Sequence, residues 1–267
     1  DALPILKGES LTVAYLGPRG TFTEQATRKF FPERKVKLVE APTIKAVFNM
    51  VTSREVDCGV VPIENTLEGS VNVTLDLLYR LDVKICGEIQ EPIRHNLIVK
   101  PGTKRSQIKI IVSHPQALAQ CSSYLEEKFP KAILKEASST AIAVKNLKKL
   151  RNAAAIGTEL AAKIYGMKIL ERNITGENKN FTRFIVISLR DCEPTGRDKT
   201  SLIFSVKDRP GALYAALEPF ASRKINLTKI ESRPSKDEPW TYIFFMEFEG
   251  HRKDESSLSP PGRYDLT

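Results

Sequence analysis

From Leu11 onward, short apolar runs alternate with longer segments whose apolar residues recur every three or four positions. LTVAYLG has the length and content of a buried strand, and Thr23 to Phe31 behind it carries helical spacing. The pair repeats as KVKLVE with TIKAVFNMV, and again as DCGVVPIEN with VNVTLDLLYRL. Strands alternating with helices in this way predict an α/β architecture with parallel strands.

The rhythm restarts after VKICGEIQEPIRHNLIVKP. IKIIVS, AILKEA and AAAIG read as strands. PQALAQCSSYLEEKF reads as one amphipathic helix with Pro115 near its first turn, STAIAVKNLKKL as a helix capped by Ser138 or Ser139, and TELAAKIYG as a helix ended by Gly166. FTRFIVISL is a final strand. The pattern predicts a domain over residues 10–190 made of two α/β lobes with a cleft between them. The first lobe takes in about 10–88 and 178–190, and the second about 92–172. A turn-rich linker, 191–198, leads to a separate segment, 199–250, patterned strand, turn, helix, strand, loop, strand. Residues 251–267 form an atypical tail.

Composition narrows the classes. The 267 residues are 41% hydrophobic and 27% charged, which are globular values. No apolar run approaches the ~20 residues of a membrane span, and DALPILKGES lacks the shape of an export signal. The four cysteines are scattered, and the three histidines have no metal-ligand spacing. These features predict a cytoplasmic protein without metal or cofactor. The net charge of +9 is spread along the chain rather than gathered in a stripe, and only 7% of residues are aromatic. Nucleic acid is therefore a poor partner, and a small acidic substrate a better one.

Candidate chemistry gathers at the turns. GPRGTFT, PIENT, SHPQ, SST and GTE each end a strand in small or polar residues just before a helix. Open α/β sheets bind ligands beyond the carboxyl ends of their strands, where helix N-termini favour anions. Each turn taken alone also fits plain helix capping. Glu64 and Asn65 follow an apolar strand with no hydrophobic period to explain them, and an Asx-turn is the structural alternative. His114 reads as a capping residue, and Gln120 faces either the cleft or solvent. In TRFIVIS, Thr182 and Arg183 lie on opposite strand faces, and on composition alone Thr182 is a structural residue.

Four segments, NKNFTRF, GPRGTFT, PIENTLEGS and SHPQALAQC, closely resemble the prephenate dehydratase family. RPGALYAAL and INLTKIESRP resemble the family's C-terminal ACT domain, which binds phenylalanine. The similarity runs from about Leu11 to Gly250 with the motifs in order. The resemblance implies two lobes like those of periplasmic binding proteins, followed by an α+β regulatory domain of ACT type (βαββ). It implies decarboxylation and dehydration of prephenate to phenylpyruvate, with Thr182 catalytic and Thr21, Asn65, Ser113, Gln120 and Arg183 at the substrate. It places a phenylalanine effector at Gly211, Ala212, Leu213, Asn226, Glu231, Ser232 and Arg233, at the interface of a homodimer or homotetramer. Thr66 departs from the family's serine but keeps a hydroxyl. The segment after the third ACT strand supplies neither the second helix nor the fourth strand. Residues after about Gly250 are therefore expected to be poorly ordered and phenylalanine to bind weakly or not at all. An arogenate dehydratase, which in plants works in the plastid stroma, and a non-catalytic anion-binding module are the alternatives.

Overall fold

The computed structural model describes residues 10–31, 36–176, 180–206, 208–235 and 241–254. The chain divides into two compact units, one up to Asp191 and another from Cys192.

The first unit holds two sheets. In the first sheet, β1 (Leu11–Leu16) lies parallel to both β2 (Val36–Ala41) and β3 (Cys58–Asn65). The helices α1 (Phe22–Phe30), α2 (Ile44–Thr52) and α3 (Asn72–Arg80) accompany these strands. A two-residue strand, β4 (Gly69–Ser70), folds back on β3. The chain then runs through β5 (Lys84–Pro92) to β6 (Asn96–Val99), which belongs to the second sheet. That sheet adds β7 (Ile110–Ser113), β8 (Ile133–Glu136), β9 (Ala153–Gly157) and β10 (Lys168–Glu171). Its helices are α4 (Pro115–Gln120), α5 (Ser122–Lys128), α6 (Thr140–Asn146) and α7 (Glu159–Tyr165). Finally β11 (Phe181–Ser188) returns to the first sheet and inserts antiparallel between β3 and β5. The orders are β2-β1-β3-β11-β5 and β10-β6-β9-β7-β8. The strands predicted from alternation with helices are the parallel ones. Apart from the two-residue β4, the antiparallel members, β5, β6, β10 and β11, are those that carry the chain between lobes or bracket the crossings.

Local chemistry explains the elements. Thr21, Thr43, Ser139 and Thr158 cap α1, α2, α6 and α7, each accepting from a backbone N–H of the first turn. Gly166, at φ 66°, ends α7 in the left-handed conformation. Where one helix was expected over residues 115–129, Cys121 leaves helical geometry and separates α4 from α5. The buried stripe of Ala117, Leu118, Cys121 and Leu125 continues across the break, so the core contact is kept.

The two lobes touch where the loop after β1 meets α7. Thr158 Oγ1 donates to the Gly20 carbonyl at 2.6 Å, and the Tyr165 hydroxyl to the Arg19 carbonyl at 2.8 Å. Gly20 sits at φ 90°, and a Cβ there would lie 2.8 Å from the Ala161 Cβ, so only glycine fits.

The second unit is a three-stranded antiparallel sheet in the order β12-β14-β13, formed by β12 (Lys199–Ser205), β13 (Leu227–Pro234) and β14 (Tyr242–Glu249). Its helix α8 (Ala212–Ser222) packs Phe220 against Phe248 at 5.2 Å. On β14, Ile243, Phe245, Met246 and Phe248 are buried, and Phe244 stacks on Phe204 at 5.3 Å. Directly after it, His251 to Asp254 form a turn closed by the His251 N–H on Asp254 Oδ2 at 2.7 Å, with His251 buried. The expectation of poor order concerned the stretch beyond Gly250; residues 255–267 lie outside those described. Among the described residues, no helix is long and apolar enough to cross a membrane.

Candidate active site

Two antiparallel strands build the centre of the site. Pairing of β11 with β3 places Thr182 opposite Asn65 and Arg183 opposite Glu64. The register shifts between Arg183 and Phe184, which lies opposite Pro62, so Ile63 bulges. Cross-strand neighbours share a face, so Thr182 and Asn65 project together, away from Arg183.

Asn65 organises this face. Its Oδ1 accepts the backbone N–H groups of Leu67 at 3.0 Å and Glu68 at 3.2 Å. A backbone N–H can only donate, so the orientation of the Asn65 amide is fixed. Its Nδ2 therefore donates to Thr182 Oγ1 at 2.8 Å, to Asn180 Oδ1 at 2.8 Å and to the Phe181 carbonyl at 3.1 Å. Three acceptors share two hydrogens. Thr182 Oγ1 is thus an acceptor in this contact, and its own proton is left for another group. No described residue accepts it.

The chain of amides crosses to the second lobe. Asn180, buried at 4% exposure, donates through Nδ2 to Gln120 Oε1 at 3.1 Å, at the end of α4. The same Gln120 oxygen meets His95 Nε2 at 3.0 Å. His95 is buried, with Phe22 edge-on to its ring at 5.5 Å. Desolvation holds its pKa below the ordinary imidazole value, against a smaller upward pull from the Gln120 bond. Across β5, Glu91 stands opposite Thr182, held by Gln25 at 2.7 Å and Lys29 at 3.2 Å.

The structure thus brings Thr182, Asn65 and Gln120 together and leaves three other expected residues out. Arg183 points to the other face of β11 and bonds Glu64 and Glu88, each at 2.9 Å. Already engaged by two carboxylates, it is not positioned to hold a substrate anion beside Thr182. Ser113 is fully buried, and its Oγ donates to the Ile156 carbonyl at 2.8 Å, tying β7 to β9. Thr21 caps α1 and donates to the Leu16 carbonyl at 3.0 Å. His114 accepts from the Gln116 N–H at 3.3 Å as a helix cap. Asn180 and His95 were not singled out from sequence. The signal for His95 was a polar residue directly before a fully buried run, NLIV. Burial pushes the thiols of Cys58 and Cys121 up to about 12, which leaves neither as a nucleophile at neutral pH.

In the second unit, Gly211 (φ 82°) starts α8, and Ala212 and Leu213 form its first turn. Asn226 precedes β13, its carbonyl accepting from the Glu249 N–H at 3.0 Å. Glu231, Ser232 and Arg233 lie in β13, an edge strand, with Glu231 and Arg233 on one face and Ser232 on the other.

Fold and site together define a two-sheet α/β unit with a hydroxyl–amide centre, followed by a small antiparallel α+β unit. The family model for prephenate dehydratase matches residues 13–192, and that for the ACT domain matches 200–259. A bifunctional chorismate mutase/prephenate dehydratase of Aquifex aeolicus is 48% identical, with 92% of this chain aligned to 68% of that protein. A prephenate dehydratase of Methanocaldococcus jannaschii is 42% identical, with 90% of this chain aligned to 89% of that protein. The crystal structure of an Arthrobacter aurescens prephenate dehydratase in complex with L-Phe is 35% identical with a TM-score of 0.84, covering 92% of this chain and 83% of that one. The chain belongs to the prephenate dehydratase family, and its chemistry is that of a carbon–oxygen lyase.

Proposed function

We propose that the Thr182 hydroxyl is the proton donor in the conversion of prephenate to phenylpyruvate, carbon dioxide and water. The bond from Asn65 Nδ2 to Thr182 Oγ1 carries this reading. As the ring carboxylate leaves as CO2, its bonding pair enters the ring and the carbon–oxygen bond opposite breaks. The departing oxygen takes the Thr182 proton and leaves as water. Negative charge growing on Oγ1 meets an amide donor already in place, and water restores the proton afterwards. A positioned acid of this kind contributes roughly 10²–10⁴ in rate, and preorganised donors need no rearrangement as charge develops. Gln120, with its carboxamide nitrogen engaged by no described residue, supplies donors to a substrate carboxylate from the second lobe. The hydrogen bond from the Asn180 carboxamide to that of Gln120 then joins the two lobes around the ligand. Conversion of prephenate to phenylpyruvate, followed by absorbance, tests the activity. Thr182→Ala tests the donor: a folded variant that turns over like the parent excludes it. Turnover of arogenate in the same assay measures the preference between the two substrates.

Phenylalanine is the proposed effector of the second unit, at Gly211, Ala212, Leu213, Asn226 and the β13 segment Glu231 to Arg233. Support comes from the ACT match and from the L-Phe bound to the Arthrobacter aurescens relative. A homodimer or homotetramer is the proposed assembly, with the edge strands β12 and β13 paired on one side only among the described residues. Calorimetric titration with phenylalanine, and light scattering with and without it, test both. An absence of heat at saturating phenylalanine rules out the effector role.

A further inference from the structure

Bond directions can be followed from Asn65 outward to a ring the reaction has not yet used. The Leu67 and Glu68 N–H groups fix Asn65, so Asn180 Oδ1 is an acceptor and Asn180 Nδ2 a donor. Gln120 Oε1 therefore accepts from Asn180, and only a donor can approach it from His95 at 3.0 Å. His95 must carry its proton on Nε2. Its ring is neutral, because burial pushes its pKa down, so Nδ1 is a bare acceptor. That Nδ1 is buried and meets no hydrogen-bond partner among the described residues. A bare buried nitrogen costs stability that an apolar ring of the same size would avoid. The slot already packs one aromatic ring, Phe22, edge-on against His95. What the imidazole adds over such a ring is one N–H, and that N–H points at Gln120.

We propose that His95 is a positioning residue of the active site, whose Nε2–H holds the Gln120 carboxamide with its oxygen toward Asn180 and its nitrogen free to donate to a substrate carboxylate. This rests on the reading of Gln120 as a substrate donor. A flipped Gln120 amide would set its nitrogen against Asn180 Nδ2, donor against donor, and would break the contact between the lobes. His95 thus gives the amide chain one direction from the second lobe to Thr182. It touches neither the substrate nor the proton that is transferred.

The first test uses the unaltered protein. Long-range proton–nitrogen NMR on ¹⁵N-histidine-labelled enzyme reads the tautomer of each of its three histidines. His95 is expected to be protonated at Nε2 alone, and a ring protonated at Nδ1 alone overturns the proposal. The second test is kinetic. His95→Gln can place an N–H near the same point, whereas His95→Phe fills the slot without one. His95→Phe is expected to lower kcat/KM about tenfold, the worth of one hydrogen bond, chiefly through KM. His95→Gln should stay within about threefold of the parent, on the same scale. A folded His95→Phe enzyme with parental kcat/KM sinks the idea, as does a folded His95→Gln enzyme no better than His95→Phe. In a Gln120→Leu background the His95→Phe effect should vanish, because His95 acts through Gln120, and an undiminished effect there also overturns it. Loss of activity on prephenate by the parent itself would refute the proposed function instead, and leave the tautomer measurement standing.

Discussion

The turn at the end of β3 and the turn at the end of β7 look alike as sequence, an apolar strand running into polar residues. They were given opposite tasks. At β7, Ser113 faces inward to the Ile156 carbonyl, and His114 caps α4. Both polar groups are consumed by the backbone next to them. At β3 the chain does not pass straight into a helix. It turns back as β4, and β11 lies alongside, so Asn65 stands opposite Thr182 and reaches it at 2.8 Å. A polar residue at a strand end is spent on backbone, in its own turn or in the next strand, unless a neighbouring strand brings it a side-chain partner.

The most severe way to break this contrast is Thr182→Ala, which should reduce kcat by ~10²–10⁴ with the fold intact, as read by single-turnover kinetics and thermal unfolding. Thr182→Ser should keep a substantial share of the rate. Asn65→Asp comes next. A carboxylate cannot donate to Oγ1 and would instead accept the Thr182 hydroxyl's hydrogen bond, so kcat should fall about 10²-fold, the scale of one lost oxyanion donor. A kcat within a factor of three of the parent would leave Asn65 a turn residue like His114. Arg183→Met should act on the fold rather than on binding. Two glutamates lose their shared partner, and unfolding in denaturant should report a loss of about 2 kcal/mol with KM unchanged. A raised KM at unchanged stability would return Arg183 to the substrate. Ser113→Ala should cost about 1 kcal/mol with normal kinetics, since it removes one buried hydrogen bond. The smallest effect is pH-dependent. The folded-state pKa of His95 lies below its unfolded value of about 6.5, so below that pH the unfolded chain binds more protons. Stability contributed by neutral His95 is therefore complete above about pH 6.5 and falls as the pH drops below it. A melting profile over this range should flatten in His95→Phe relative to the parent.

Much of the fold was legible because its parallel strands are short apolar runs followed by helices with polar caps. β1, β7 and β9 carry this signature, and their burial follows it. The strands that bracket the crossings were not legible. β5 mixes charged and apolar residues, and β10 spans only Lys168–Glu171, so neither has a period long enough to read. The break at Cys121 was hidden because the apolar stripe runs through it unbroken. Of the site, Thr182, Asn65 and Gln120 could be named from motif, but what separates them from Ser113 and Arg183 is side-chain direction. Arg183 lies on the other face of the strand from Thr182, and that alternation was visible in TRFIVIS. Its two glutamates come from β3 and β5, and only the sheet order brings them near. Asn180 and His95 stand at chain crossings, and their partners are far away in sequence.

The contact at Gly20 is a point where the two lobes meet backbone to helix. The backbone there rests against α7 with no room for one carbon atom. Alanine, serine and valine at this position would act as shims of increasing thickness, each holding the halves a little farther apart. Lengthening the gap between Gln120 and Asn180 in this way requires no change to either residue. A single glycine, remote from the reacting atoms in sequence, thereby serves as the gauge against which the cleft is set.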